Sequence, residues 1–304
     1  MTRDLPFDIV FLGNYTKDTI TSASGRRVVD GGGFNYGAHV ASMMGLRTAA
    51  VTRLSKEDHH VVAGLERLGV TVFPTYTPES TALRLDYPSS DPDERVVSVT
   101  HTAASFVPEQ FKDLRAKVFL VNASLRGEVG VDVIEELRGK NTLLAADVQG
   151  FLRVVASDGT LRYGSWPERE QVLSRIDILK TDAVEAEALT GLSDRKAAAR
   201  VIAGWGPKEV VLTHRDGVLV LVDDEFHEAP FRPRQLVGRS GRGDTCIAAY
   251  VAKRLSDAPR EATFWAAAVT SLKLEAEGPI KRRMDEVEEL FEQMHSQKFR
   301  SARD

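Results

Sequence analysis

The stretch GRSGRGDTCIAAYVAKRL, Gly238–Leu255, places glycines at 238, 241 and 243 and a carboxylate, Asp244, directly before an amphipathic helical pattern. A helix N-terminus presents backbone N–H groups without intrahelical partners and carries partial positive charge, so this junction attracts an anion. Glycine at 241 and 243 lets a phosphate approach backbone that a side chain would keep away. Asp244 has two readings from the residues alone. It either caps the helix by accepting backbone N–H bonds or serves as a base beside the bound anion.

Outward from this loop, a chain of 304 residues with 42% hydrophobic residues is ample for a large core. The apolar runs FDIVFLG, TAAVTRL, KVFLVNA, NTLLAADV, RIDILKT, KEVVLTH and GVLVLVD read as strands. NYGAHVASMMG, HHVVAGLERLG, GVDVIEELRG, AVEAEALTG and RKAAARVIAGWG read as helices, each closing in a glycine suited to a C-cap. This alternation predicts βα units around a mostly parallel sheet, and after Asp244 the chain turns helical almost to its end. Two segments break the rhythm, at residues 16–33 and 78–104. Both alternate apolar and polar residues, and the second carries the turn sequence Pro-Ser-Ser-Asp-Pro-Asp, so they predict a small β-lid over the sheet. With no internal repeat or linker, residues 1–304 read as a single domain.

A formal charge of −4 with both signs spread along the chain excludes a concentrated basic face, so no nucleic acid is expected as partner. No apolar run reaches the roughly 18 residues of a membrane span, and MTRDLPFDIVFLG lacks the pattern of a secretory leader; a cytoplasmic protein is expected. The single cysteine, Cys246, rules out an intrachain disulfide. DGGGFNYGAHVASMMG has the wrong glycine spacing for a dinucleotide loop. Neither a Gly-x-x-x-x-Gly-Lys-Ser/Thr loop, a His-Glu-x-x-His pair nor a Gly-x-Ser-x-Gly elbow occurs.

GRSGRGDTCIAAYVAKRL, GGGFNYGAHVASMMG and TDAVEAEALTG, taken together and in this order, resemble the signatures of the ribokinase-like, PfkB-type carbohydrate kinases. The resemblance runs from Gly13 to the helices after Asp244. It implies a three-layer α/β/α ribokinase-like fold with a mostly parallel central sheet and a small β-lid. It makes Asp244 the general base, with the backbone of Gly241, Arg242 and Gly243 forming the anion hole for the transferred phosphoryl. Asp18, Gly32, Gly33 and Asn35 or Tyr36 are placed at the acceptor, and Thr213, Arg215, Gly217, Gly241 and Gly243 at the nucleotide. Glu185 and Asp182 are placed at Mg²⁺, which favours oxygen ligands and water.

The departures from the family pattern are also informative. Gly238 stands where the signature usually opens with an Asp that helps hold a monovalent cation, so potassium activation is not expected. Arg242 replaces a small residue, Asp182 replaces Asn, and His214-Arg215-Asp216 replaces a glycine-containing nucleotide loop. Tyr36 takes the place of a sugar-binding Asn and, with Phe34, gives the pocket an aromatic wall suited to a ring face. The resemblance implies transfer of the γ-phosphoryl of ATP to an alcohol of a small polyhydroxylated acceptor, a sugar or sugar acid. A nucleoside, an inositol-type polyol or a catalytically silent ligand-binding homologue are the alternatives. A homodimer joined through the β-lid is the expected assembly.

Overall fold

Strand β1 (Phe7–Leu12) shows how the layers form: Ile9 and Phe11 belong to one apolar cluster, Val10 and Leu12 to a second. A strand buried on both faces reads as a near-continuous apolar run, which is the pattern of Ile9–Leu12 in FDIVFLG. The computed structural model describes residues 7–23, 25–88 and 96–301. Its elements continue as β2 (Thr16–Ser22), β3 (Gly25–Asp30), α1 (Gly33–Met43), β4 (Thr48–Ser55), α2 (His59–Arg67), β5 (Thr71–Thr77), β6 (Thr81–Asp86), β7 (Val96–His101), β8 (Ala116–Val121) and α3 (Val131–Arg138). Then follow β9 (Leu143–Asp147), α4 (Gln149–Leu152), β10 (Arg153–Val155), β11 (Leu161–Tyr163), α5 (Arg169–Leu173), β12 (Ile178–Asp182), α6 (Ala183–Thr190) and α7 (Arg195–Ala203). The last are β13 (Glu209–His214), β14 (Gly217–Val222), β15 (Glu225–Pro230), α8 (Arg242–Arg254), α9 (Pro259–Leu274) and α10 (Met284–Ser301).

The main sheet has nine strands in the order β15-β14-β13-β12-β9-β8-β1-β4-β5. Pairing is parallel from β13 to β5 and antiparallel for β14 and β15. Residues of α1, α8 and α9 pack on the face of Ile9 and Phe11; residues of α3, α5 and α7 pack on the other. From β1 the chain builds outward through β4 and β5, then returns to the other side through β8. That reversal opens a crevice beyond the carboxyl ends of β1 and β8, where ligands bind in such sheets.

Segments 16–33 and 78–104 supply a separate four-stranded sheet of order β3-β2-β6-β7, with β2 parallel to β6. From Ser89 through Asp93 the expected turn lies outside the described residues. Ile20, Leu83 and Leu85 give this lid its own small apolar cluster.

Three strand pairings go beyond the sequence reading. β5 carries Pro74 and survives because it is the sheet edge, where a missing N–H leaves no ladder bond unmade. β15 closes the opposite edge. The hairpin of β10 and β11 reaches the lid through a bridge between Ser98 and Thr160. No helix among the described residues is long and apolar enough to cross a membrane.

Candidate active site

A cleft of ≈ 540 Å³ lies between the lid and the carboxyl ends of the main-sheet strands, within the usual size of small-molecule sites. The start of α8 forms its floor. Gly241 is the N-cap, with φ 76°, a left-handed conformation that favours glycine. A Cβ there would stand 2.3 Å from the Tyr36 ring, so both conformation and space require glycine. The helix has no side-chain cap bond, and Asp244 lies in its first turn instead of at the cap. The Arg242 N–H donates to Arg239 O at 3.2 Å, which tightens the turn entering the helix.

Asp244 is aimed at Gly33, at the start of α1. Its Oδ1 is buried and accepts no hydrogen bond from the described residues. Gly33 makes room for it: a Cβ on Gly33 would stand 2.4 Å from that oxygen and 2.6 Å from Asn122 Cβ. Burial raises the Asp244 carboxyl above the usual aspartate range; Lys180 and Arg153 oppose the rise and Glu185 adds to it. A carboxylate kept dry and more basic than usual suits proton abstraction from an alcohol.

Asp18 on β2, Gly32, Gly33 and Tyr36 all line the cleft. Gly31 lets the backbone pass beside Asp18, since a Cβ there would meet the Asp18 Oδ2 at 2.6 Å. Tyr36 is 2% exposed, and its ring closes the pocket behind Gly241. Asn35 is turned away: it does not line the cleft, and its Nδ2 donates to Asp30 O at 3.4 Å.

Behind the floor lies a buried ion cluster. Lys180 Nζ is 3.0 Å from Asp147 Oδ2 and 3.5 Å from Glu185 Oε2, and Arg153 approaches Glu185 Oε1 at 3.6 Å. Asp147 and Glu185 are 0% exposed and Lys180 3%. Burial opposes the charge on Lys180, but Asp147, Glu185, Asp182 and Asp244 outweigh it and hold the ammonium protonated. The ammonium also lies against the glycine turn that opens α8, because a Cβ on Gly243 would stand 2.7 Å from Lys180 Nζ. Glu185 also closes a capping box at α6: it accepts from Asp182 N–H at 2.9 Å, while Asp182 accepts from Glu185 N–H at 2.8 Å.

The family profile described as pfkB family carbohydrate kinase matches residues 10–285. The chain belongs to the pfkB family of carbohydrate kinases. A cytidine kinase of Thermococcus kodakarensis is 27% identical over 254 residues, covering 81% of this chain and 87% of that protein. A sulfate complex of a pyrophosphate-dependent kinase in the ribokinase family is 36% identical, with a TM-score of 0.86 over 92% of this chain and 99% of that one. A pyrophosphate-dependent kinase of the ribokinase family, complexed with a pyrophosphate analog and myo-inositol, is 34% identical, with a TM-score of 0.85 over 92% and 99% of the two chains. The fold is accordingly ribokinase-like.

In this pfkB-family site the structure brings together Asp244, Gly241, Arg242, Gly243, Asp18, Gly32, Gly33, Tyr36, Asp182 and Thr213. Arg215 and Gly217 do not line the cleft. Gly217 is instead required by the β14–β15 pairing, where a Cβ would stand 2.4 Å from Ala229 O. Glu185 sits behind the wall within the ion cluster. Sequence reasoning missed Lys180, Arg153, Arg162, Ser124 and Asp147, which line the cleft. A lysine inside an otherwise apolar strand, as in ILKT, was the available signal. Gly33→Ala is expected to lower kcat by about 10²-fold by displacing the Asp244 carboxylate, with little change in donor KM. Steady-state kinetics check this; an unchanged kcat would mean that the base does not depend on Gly33.

Proposed function

We propose that this pfkB-family kinase transfers a phosphoryl group from pyrophosphate to a hydroxyl of a ring-shaped polyol of the inositol type. One observation carries the reading: Arg153, Arg162, Lys180, Arg239 and Arg242 all line the cleft that holds Asp244, whereas the His214–Gly217 turn expected to meet a nucleotide does not. A compact, highly charged diphosphate suits such a lining. The two structures of a pyrophosphate-dependent kinase support the same donor, and the myo-inositol complex supports the acceptor class. Asp18, at the cleft, is a carboxylate able to accept from neighbouring hydroxyls of such a ring.

In this reading Asp244 removes the acceptor proton as the alcohol oxygen attacks phosphorus. The bridging P–O bond breaks and orthophosphate leaves. The α8 N-terminus and the arginines stabilise the charge on the transferred group. No cluster of three or more His, Cys, Asp or Glu among the described residues forms a metal site. The donor set suits Mg²⁺ carried in with phosphate, because that ion needs one or two carboxylates and otherwise phosphate oxygens and water. Asp182, at the cleft, is the carboxylate placed for it; Glu185 is engaged by Lys180 and Arg153. When bound, Mg²⁺ neutralises donor charge.

A second reading keeps ATP as the donor. Leu236 and Val237, just before Gly238, are 51% and 48% exposed and lie outside the cleft lining, so a base stacked on them would sit beyond the cleft. Parallel assays with myo-inositol, Mg²⁺ and either donor decide between them. We expect kcat/KM for pyrophosphate to exceed that for ATP by tenfold or more, about 1.4 kcal/mol in barrier. ATP turnover without pyrophosphate turnover would overturn the donor assignment. Phosphorylation of open-chain sugars in preference to cyclitols would overturn the acceptor class.

A further inference from the structure

Lys273, in the last turn of α9, is 1% exposed. A lysine this deep is rare without a partner. Its ammonium donates to a backbone carbonyl, Gly238 O, at 2.9 Å. Gly238 opens the loop that runs into the anion-binding start of α8. The same end of α9 grips that loop again: Val237 and Gly238 N–H both donate to Leu274 O, at 2.9 and 3.1 Å. The approach is so close that a Cβ on Gly238 would stand 2.4 Å from Ala276 O. The far end of the loop, Gly241, rests against the Tyr36 ring, and Lys273 Nζ lies 5.5 Å from the centroid of that ring. The ammonium is thus bracketed by the two ends of the loop.

We infer that Lys273 is a positioning residue whose positive charge, held on Gly238 O and facing the Tyr36 ring, fixes the Gly238–Gly243 loop in the conformation that receives the transferred phosphoryl. The inference rests on reading the cleft as the phosphoryl-transfer site. A cation at a helix C-terminus, on a carbonyl and over an aromatic face has three sources of stabilisation that an apolar side chain of equal bulk lacks. Tyr36 faces Lys273 from α1, Arg242 and Asp244 from α8, and Glu277 from the segment after α9. Glu277 in turn accepts from Arg27 of the lid at 2.9 Å. Burial brings the Lys273 pKa down to about 8, with Glu277 and Asp244 opposing and Arg242 assisting the fall. The folded value lies below that of an unfolded lysine, about 10.4, so the native state binds fewer protons in that window. Stability therefore rises with pH from about 8 upward while the charge on the loop is lost.

The test is a pH profile of turnover for the wild type, Lys273→Met, Lys273→Arg and Lys273→Ala, the last with and without ethylammonium, alongside thermal protection by pyrophosphate. The wild type should lose kcat above about pH 8 although its fold is no weaker there. Lys273→Met should turn over about 10²-fold more slowly without an alkaline limb, at unchanged acceptor KM. Lys273→Arg should move the limb to higher pH, or ethylammonium should restore turnover to Lys273→Ala. A Lys273→Met protein as active as the wild type overturns the inference alone. So does a slow Lys273→Met that neither arginine nor ethylammonium relieves, since the side chain would then act only through its bulk. A wild-type protein that transfers no phosphoryl group and gains no thermal protection from pyrophosphate overturns the reading of the cleft, and the inference with it.

Discussion

Asp244→Asn is expected to lower turnover by about 10²–10⁴-fold, the usual effect of removing a general base, while leaving the fold intact. The amide keeps the shape but cannot take the alcohol proton. No stability loss is expected, because burial already disfavours the Asp244 charge and holds its carboxyl above the usual aspartate range. The same shift fixes the sign of the pH dependence. Turnover requires the deprotonated form, so wild-type kcat should fall with decreasing pH at higher values than for an ordinary aspartate, and Asp244→Asn should lack that acid limb. A helix cap gives the opposite outcome, near-normal turnover with a loss of about 1 kcal/mol of stability. The α8 cap is Gly241 and has no side-chain bond, which favours the base.

Lys180→Met is expected to be the more damaging change to the fold. It leaves Asp147 and Glu185, both 0% exposed, without the ammonium that lies 3.0 and 3.5 Å from them. Breaking a buried ion cluster by removing one partner typically costs about 3–5 kcal/mol. Burial already raises the Asp147 and Glu185 carboxyls, and loss of Lys180 removes the main opposing influence. With native values raised above those of the unfolded chain, the native state binds more protons as pH falls. The deficit of the variant should therefore shrink from pH 7 toward pH 5. Denaturant melts of both proteins across that range check this, and a deficit independent of pH would mean that the carboxylates do not depend on Lys180.

The parts of the site set by local chemistry were legible in the sequence. Glycines before a helix, with a carboxylate in its first turn, mark a candidate anion site, and Arg239 through Asp244 line the cleft. The alternating segments around Asp18 stood out because a period of two differs from the surrounding βα pattern. What depended on long-range pairing did not show. Lys180 and Asp147 meet 33 positions apart, across neighbouring strands; Asp147 alone reads as the polar end of a strand, and the lysine inside ILKT marks a buried charge without naming its partner. Lys273 sits in SLKL, where a helical pattern gives no hint that the lysine turns inward onto Gly238. Arg215 and Gly217 were placed by family resemblance at a nucleotide, yet the β13–β14 hairpin pairs His214 with Gly217 and carries that turn outside the cleft. The edge strand β5 was hidden by Pro74, a residue that argues against a strand everywhere except at an edge.

The most direct test of the account is ³¹P NMR of the protein mixed with pyrophosphate, Mg²⁺ and myo-inositol, run in parallel with Asp244→Asn and repeated without acceptor. A phosphomonoester resonance that grows with orthophosphate in equal amounts, only with acceptor and only in the wild type, is the result predicted. Phosphomonoester formed equally fast by Asp244→Asn, or orthophosphate released at the same rate without acceptor, would contradict it.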